Sequence, residues 1–160
     1  MLLALLLALT ASAANTDASP DDCTLDKEAI APMLDAASAK DYAVEREERQ
    51  VTERALVKGR RLRTGLGGCA HFGFSFAFAL NKAETPSGAT ALALAQKLLA
   101  AVPTTKHGDA QVRILQRALA EARAQSRTSS DGAIALPCGD AICELRISEG
   151  ELILSYDFAM

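Results

Sequence analysis

The amino-acid sequence predicts an α+β fold: a mostly antiparallel sheet of about five to six strands, disulfide-braced, with two to three helices packed on one face. Three observations predict it. Phenylalanine recurs at 72, 74, 76 and 78 within an alternating stretch from Ala70 to Leu80. Two amphipathic helical stretches then follow one another directly, and three strand-like stretches close the chain. Strands grouped before and after a helical pair favour an antiparallel sheet over an alternating βαβ arrangement.

The chain opens with an apolar run from Leu2 to Leu9 and then Ala11-Ser12-Ala13, an A-x-A pattern before Ala14. This reads as a secretory signal peptide over 1–13, too short for a permanent membrane span. No Lys or Arg precedes the run, which points to a start codon further upstream. The expected mature product is a single α+β domain over 14–160, periplasmic or secreted.

Leu25, Ile30, Met33, Leu34 and Ala37 form a loose apolar stripe. It predicts a helix over roughly 25–40, with Pro32 able to kink it or delay its start. One long or bulged strand is expected from Tyr42 to Val57, then a turn at Lys58-Gly59 and a short strand at Arg60 to Thr64. The next strand, Ala70 to Leu80, puts the phenylalanines on one face and His71, Gly73, Ser75, Ala77 and Ala79 on the other. Each phenylalanine fully buried is worth roughly 1.5–3 kcal/mol, so this strand should dominate the core.

A helix is expected after Thr85-Pro86, with Leu92, Ala95, Leu98, Leu99 and Val102 on its apolar face and a stop at Pro103. A second has Asp109 as candidate N-cap and Val112, Leu115, Ala118, Leu119 and Ala122 facing the core, with His107 in the loop before it. "AIALPC", "ICELRIS" and "ELILSYDFAM" then read as strands, the last two joined by a turn at Glu149-Gly150.

Four cysteines, Cys23, Cys69, Cys138 and Cys143, form an even set in an exported chain and favour two disulfides over metal ligation. "PCGDAIC" is short enough for a hairpin to join Cys138 to Cys143, and Cys23–Cys69 follows by elimination. The C-x4-C spacing and two histidines do not suit zinc. The glycine-rich "TGLGG" lacks the Lys-Ser/Thr tail of a phosphate loop, so neither metal nor cofactor is expected.

Charge is unevenly distributed. Between Arg46 and Arg127 stand fourteen Lys and Arg against six Asp and Glu, whereas the remainder carries three basic and fourteen acidic residues. Basic and acidic strands can pair across a sheet. A basic patch at Lys58, Arg60, Arg61 and Arg63 is the sharper reading, and it would suit an anionic envelope component. Nucleic acid is disfavoured by export, by a sequence pI near 5.4 and by the absence of an aromatic residue within "VKGRRLR".

Catalytic constellations do not assemble along the chain. "GFSFA" resembles a nucleophile elbow, yet its two-residue period runs straight through Ser75. Cys69 and His71 stand two apart on a strand, roughly 7 Å, too far for direct proton transfer. Glu45, Glu47 and Glu53 on one face, or Glu144 with Asp157 on neighbouring strands, could pair as carboxylates, but solvated partners of arginine explain them as well.

The general cast is similar to small exported bacterial binding proteins, including inhibitors and immunity proteins that neutralise envelope enzymes. That resemblance rests on size, export, disulfides and the lack of a catalytic set. It implies a non-enzymatic monomer or weak oligomer binding a protein or anionic envelope component. Expected contacts are the Lys58–Arg63 turn, the disulfide loop with Gly139 and Asp140, and the open face around His71 and Ser75. A small envelope hydrolase and a structural accessory subunit are the competing expectations.

Overall fold

A computed structural model describes residues 30–69, 71–122 and 133–159. The expected signal peptide and Cys23 lie outside these residues.

Seven strands form one antiparallel sheet: β1 (Lys40–Glu47), β2 (Gln50–Val57), β3 (Arg60–Gly68), β4 (His71–Ala79), β5 (Ile134–Leu136), β6 (Ile142–Ser148) and β7 (Glu151–Ala159). Their spatial order is β1-β2-β3-β4-β7-β6-β5. The chain leaves β4 through helices α1 (Gly88–Leu99) and α2 (Lys106–Ala122). It re-enters at the far edge and comes back until β7 docks on β4.

The two expected turns are present in mirror-image form. Lys58 and Gly59 have φ of 52° and 75°, and Glu149 and Gly150 have 52° and 76°. Such type I′ geometry matches the twist of the flanking strands.

The α+β class is the observed one, with several elements displaced. The stretch read as one strand from Tyr42 to Val57 is a hairpin, β1 and β2, reversing at Glu48-Arg49. Val44 and Val51 are an odd number of residues apart, so a single strand would send them to opposite faces. Folding back brings Val44 opposite Glu53 and Val51 opposite Arg46, on one face. No Gly, Pro or Asn marks that turn. β3 also runs to Gly68, beyond the expected Thr64.

The first helix is not formed over its described part. Residues 30–34 form no helix, Leu34 makes an isolated antiparallel bridge to Thr104, and a turn follows at 36–38. Glu53, at 0% exposure on β2, accepts the N–H of Met33 at 2.7 Å and of Leu34 at 3.0 Å. Thr105 donates its N–H to the Met33 carbonyl at 2.9 Å, and Asp35 donates to that of Pro103 at 3.0 Å. These bonds consume the backbone groups a helix would need, and Pro32 contributes none as donor. Met33 and Leu34 are thereby buried between the sheet and the α1–α2 connection.

Both later helices form, with shifted starts. Ser87, not Thr85, precedes α1, and its N–H is accepted by the Thr90 hydroxyl at 3.0 Å. In α2 the cap is Thr105, whose hydroxyl accepts the Gly108 N–H at 3.1 Å. Asp109 therefore sits inside the first turn, where its carboxylate accepts the Thr104 hydroxyl. His107 is in that turn too, not in the loop.

The core lies between the helices and one sheet face. Phe74, Phe76 and Phe78 are buried with Leu62, Leu66, Leu145, Leu152 and Leu154 from neighbouring strands. Leu92 and Leu99 of α1 and Leu115 and Leu119 of α2 close it from the other side. Phe74 stacks on Tyr156 with ring centroids 4.7 Å apart. No helix of the described residues is long and apolar enough to cross a membrane.

Candidate functional site

The face of the sheet opposite the helices carries a groove of about 830 Å³. Its floor follows from strand register. Gly65 of β3 lies opposite Ser75 of β4, which lies opposite Ser155 of β7, which lies opposite Glu144 of β6. In the next row Gly67, Gly73, Asp157 and Ile142 are aligned the same way. Nothing larger than a hydroxymethyl group stands on β3 or β4 in these two rows, so the centre of the sheet is hollow where side chains would normally fill it.

Glycine is required for space at Gly67 and is a close fit at Gly65. A Cβ on Gly67 would lie 2.3 Å from the Arg49 carbonyl oxygen, and one on Gly65 3.3 Å from the Ser75 hydroxyl. Gly68, with φ of 137°, would place a Cβ 1.6 Å from the His71 carbonyl. The tight entry into β4 therefore fixes where His71 emerges.

At the open end of the groove, His71 Nδ1 is 3.3 Å from the Asp157 carboxylate, with both side chains more than half exposed. Asp140 and Ile142 form the rim, carried by the loop that the Cys138–Cys143 disulfide closes (Cα–Cα 5.9 Å). Ile142 is 66% exposed, the most exposed large apolar side chain described. Glu144 lines the wall and accepts Arg146 at 3.2 Å. Of the residues expected at the site, the fold gathers His71, Ser75 and Asp140 into this groove.

The expected basic turn lies elsewhere, at the β2–β3 end, and its charges are unequal. Arg60 grips Glu84 through two 2.6 Å bonds and also donates to the Ala79 carbonyl at 3.3 Å. Hydrogen bonding from Arg60 and then from the Asn81 backbone holds the Glu84 carboxyl down to about 2. Arg63 pairs with Glu151 at 2.9 Å. Lys58 and Arg61 carry no ion pair among the described residues. Gly139, at φ of 67°, shapes the disulfide loop and does not line the groove.

Three catalytic ideas can now be judged on geometry. Ser75 sits mid-strand, with no sharp bend to expose it. His71 and Ser75 are four strand residues apart, roughly 13 Å, so the imidazole cannot take the serine proton. Cys69 is in a disulfide and offers no thiolate; Cys23, its expected partner, lies outside the described residues. Glu53 does not share a face with Glu45 and Glu47, because it turns into the core. No group of three or more metal-ligating side chains is present among the described residues.

Sequence reasoning did not assign Gln50, Gly65, Gly67 and Ser155 to the site. The period-two Gly65-x-Gly67 was a usable signal, but only the pairing of β3 with β4 puts it beside Ser75. Compared with protein-family models, curated proteins and solved structures, the chain matches none.

Proposed function

We propose that this chain is an exported, non-enzymatic binding protein. The groove on its sheet face is the contact surface for a protein partner in the cell envelope, in the manner of an inhibitor or immunity protein. The observation that carries the reading is the groove itself: a rigid, small-residue floor with an exposed isoleucine and carboxylates at its rim. A sheet face hollowed by Gly65, Gly67 and Gly73 is shaped to receive something. A disulfide-closed rim lowers the ordering cost of binding. An exposed apolar side chain ringed by polar groups matches the apolar core and polar rim of a protein interface. The Cys138–Cys143 bond supports an oxidising compartment.

The test is capture from a periplasmic extract with the mature chain as bait, followed by affinity measurement on the purified partner. Asp140→Lys combined with Ile142→Glu alters only exposed rim positions and should weaken binding at least about tenfold, or 1.4 kcal/mol. Lys58→Glu with Arg61→Glu should leave binding within about twofold. The reverse pattern would move the contact to the basic turn. Hydrolysis of an envelope substrate that vanishes in a folded His71→Ala/Ser75→Ala variant would replace binding with catalysis.

A further inference from the structure

We infer that the outer edge of β1 is a self-complementary docking strand, pairing with β1 of a second copy to make one continuous sheet. The argument begins at the hairpin. With only Glu48 and Arg49 in the turn, Glu47 and Gln50 must be the hydrogen-bonded pair that closes it. Alternation then makes Glu45↔Thr52 a bonded pair and leaves Arg46↔Val51 and Val44↔Glu53 unbonded. The N–H and C=O of Val44 and Arg46 therefore point outward. Among the described residues no strand pairs with that edge.

The strand is well placed to be extended. It is eight residues long and exposed at every position but Tyr42, so the helical layer does not cover it. Val44 is 39% exposed on its helix-side face. A twofold axis normal to the sheet keeps both helical layers on one side and requires opposed residues to share a face.

One register satisfies the side chains. Placing Val44 opposite Val44 of the second copy sets Tyr42 opposite Arg46, twice by symmetry; Lys40 lies beyond the Lys40–Ala43 irregularity and takes no part. That gives a central apolar contact and two cation–ring pairs. Sliding two residues one way confronts Glu45 with itself. Sliding the other way sets Tyr42 opposite Val44 and carries Arg46 past the Lys40–Ala43 irregularity, so the cation–ring pairs are lost. The single like-charge pair in the favoured register, Asp41 with Glu47, falls where Asp41 (φ 53°) and the adjoining bulge already break the ladder. The charged edge thus discourages other partners and other registers while accepting its own copy.

The interface is small and polar, so the expected Kd is on the order of 0.1–1 mM. Sedimentation equilibrium of the mature, disulfide-intact protein should show apparent mass rising toward a dimer over that range. Val44→Pro removes an outward N–H without touching the β2 ladder and should abolish the rise with the fold retained by circular dichroism. Should that variant unfold, Arg46→Glu, which sets an acid against Tyr42, is expected to give the same loss. Under mild oxidation Val44→Cys should form a symmetric disulfide dimer and Glu45→Cys should not. A wild-type monomer throughout that range, a dimer insensitive to both edge variants, or preferential cross-linking of Glu45→Cys would overturn the inference.

Discussion

Replacing Glu53 by glutamine tests the least expected feature of the fold. The carboxylate is fully buried and accepts four donors. One oxygen takes the Met33 N–H and the Thr64 hydroxyl, at 2.7 and 3.1 Å. The other takes the Leu34 N–H and the Tyr42 hydroxyl, both at 3.0 Å. An ionised carboxylate is acceptor-only, and four donors match it. Glutamine keeps one acceptor oxygen and turns the other into an NH₂ donor. The two hydroxyls can rotate to accept from that NH₂, but a backbone N–H cannot. Whichever way the amide flips, the N–H of Met33 or Leu34 meets a donor. A buried unsatisfied N–H costs about 1–3 kcal/mol, and loss of charge assistance on the remaining bonds adds about 1.

Glu53→Gln should therefore destabilise by about 2–4 kcal/mol in urea unfolding, lowering Tm by roughly 10 °C. Amide exchange at Met33 and Leu34 should accelerate more than at Leu62 or Phe76, because the clamp is local. A loss below about 0.5 kcal/mol with unchanged exchange at both amides would refute the clamp.

Three further outcomes follow from particular contacts. Burial, then the charge and hydrogen bond of Glu53, push the Tyr42 phenol up to about 12 from 10.0. Its contribution to stability is complete below pH 10 and is lost as pH rises through 12. Absorbance titration should show this late phenolate, and Tyr42→Phe should remove it. The Arg60–Glu84 pair has the opposite sign: Glu84 drops to about 2 from 4.5, so its stabilisation is present above pH 4.5 and lost as pH falls toward 2. Glu84→Gln should flatten the acid limb of a stability–pH curve, and an unchanged limb would deny the pair its role. Gly108→Ala would normally favour a helix by about 1 kcal/mol. Here the new Cβ would lie 2.0 Å from the Met33 carbonyl oxygen, so the variant should be less stable by about 1–3 kcal/mol in thermal unfolding.

Two kinds of information separate in this molecule. The phenylalanine alternation through β4, the apolar faces of α1 and α2, the two Gly-bearing turns and the short cystine loop were all legible. Each is a local pattern, set by the period of a strand or helix or by a few adjacent residues. The open face of β4 was legible for the same reason, since small residues alternate with large ones there.

What tertiary structure decided was non-local. An apolar stripe over 25–40 predicts a helix, yet in its described part the backbone donors of Met33 and Leu34 go to a carboxylate on β2. A competing hydrogen-bond acceptor some twenty residues away in sequence outweighs helical propensity that is worth only tenths of a kilocalorie per residue. The hairpin at Glu48-Arg49 carries no turn residue; it is held by long-range contacts of β2, whose Val51, Ala55 and Val57 enter the core and whose Glu53 binds the Met33 and Leu34 N–H groups. The groove depends on register: Gly65 and Gly67 are unremarkable in β3 until pairing sets them beside Ser75 and Gly73. Sequence period determined which face each side chain takes. Only the alignment of strands distant in the chain decided which side chains meet on it.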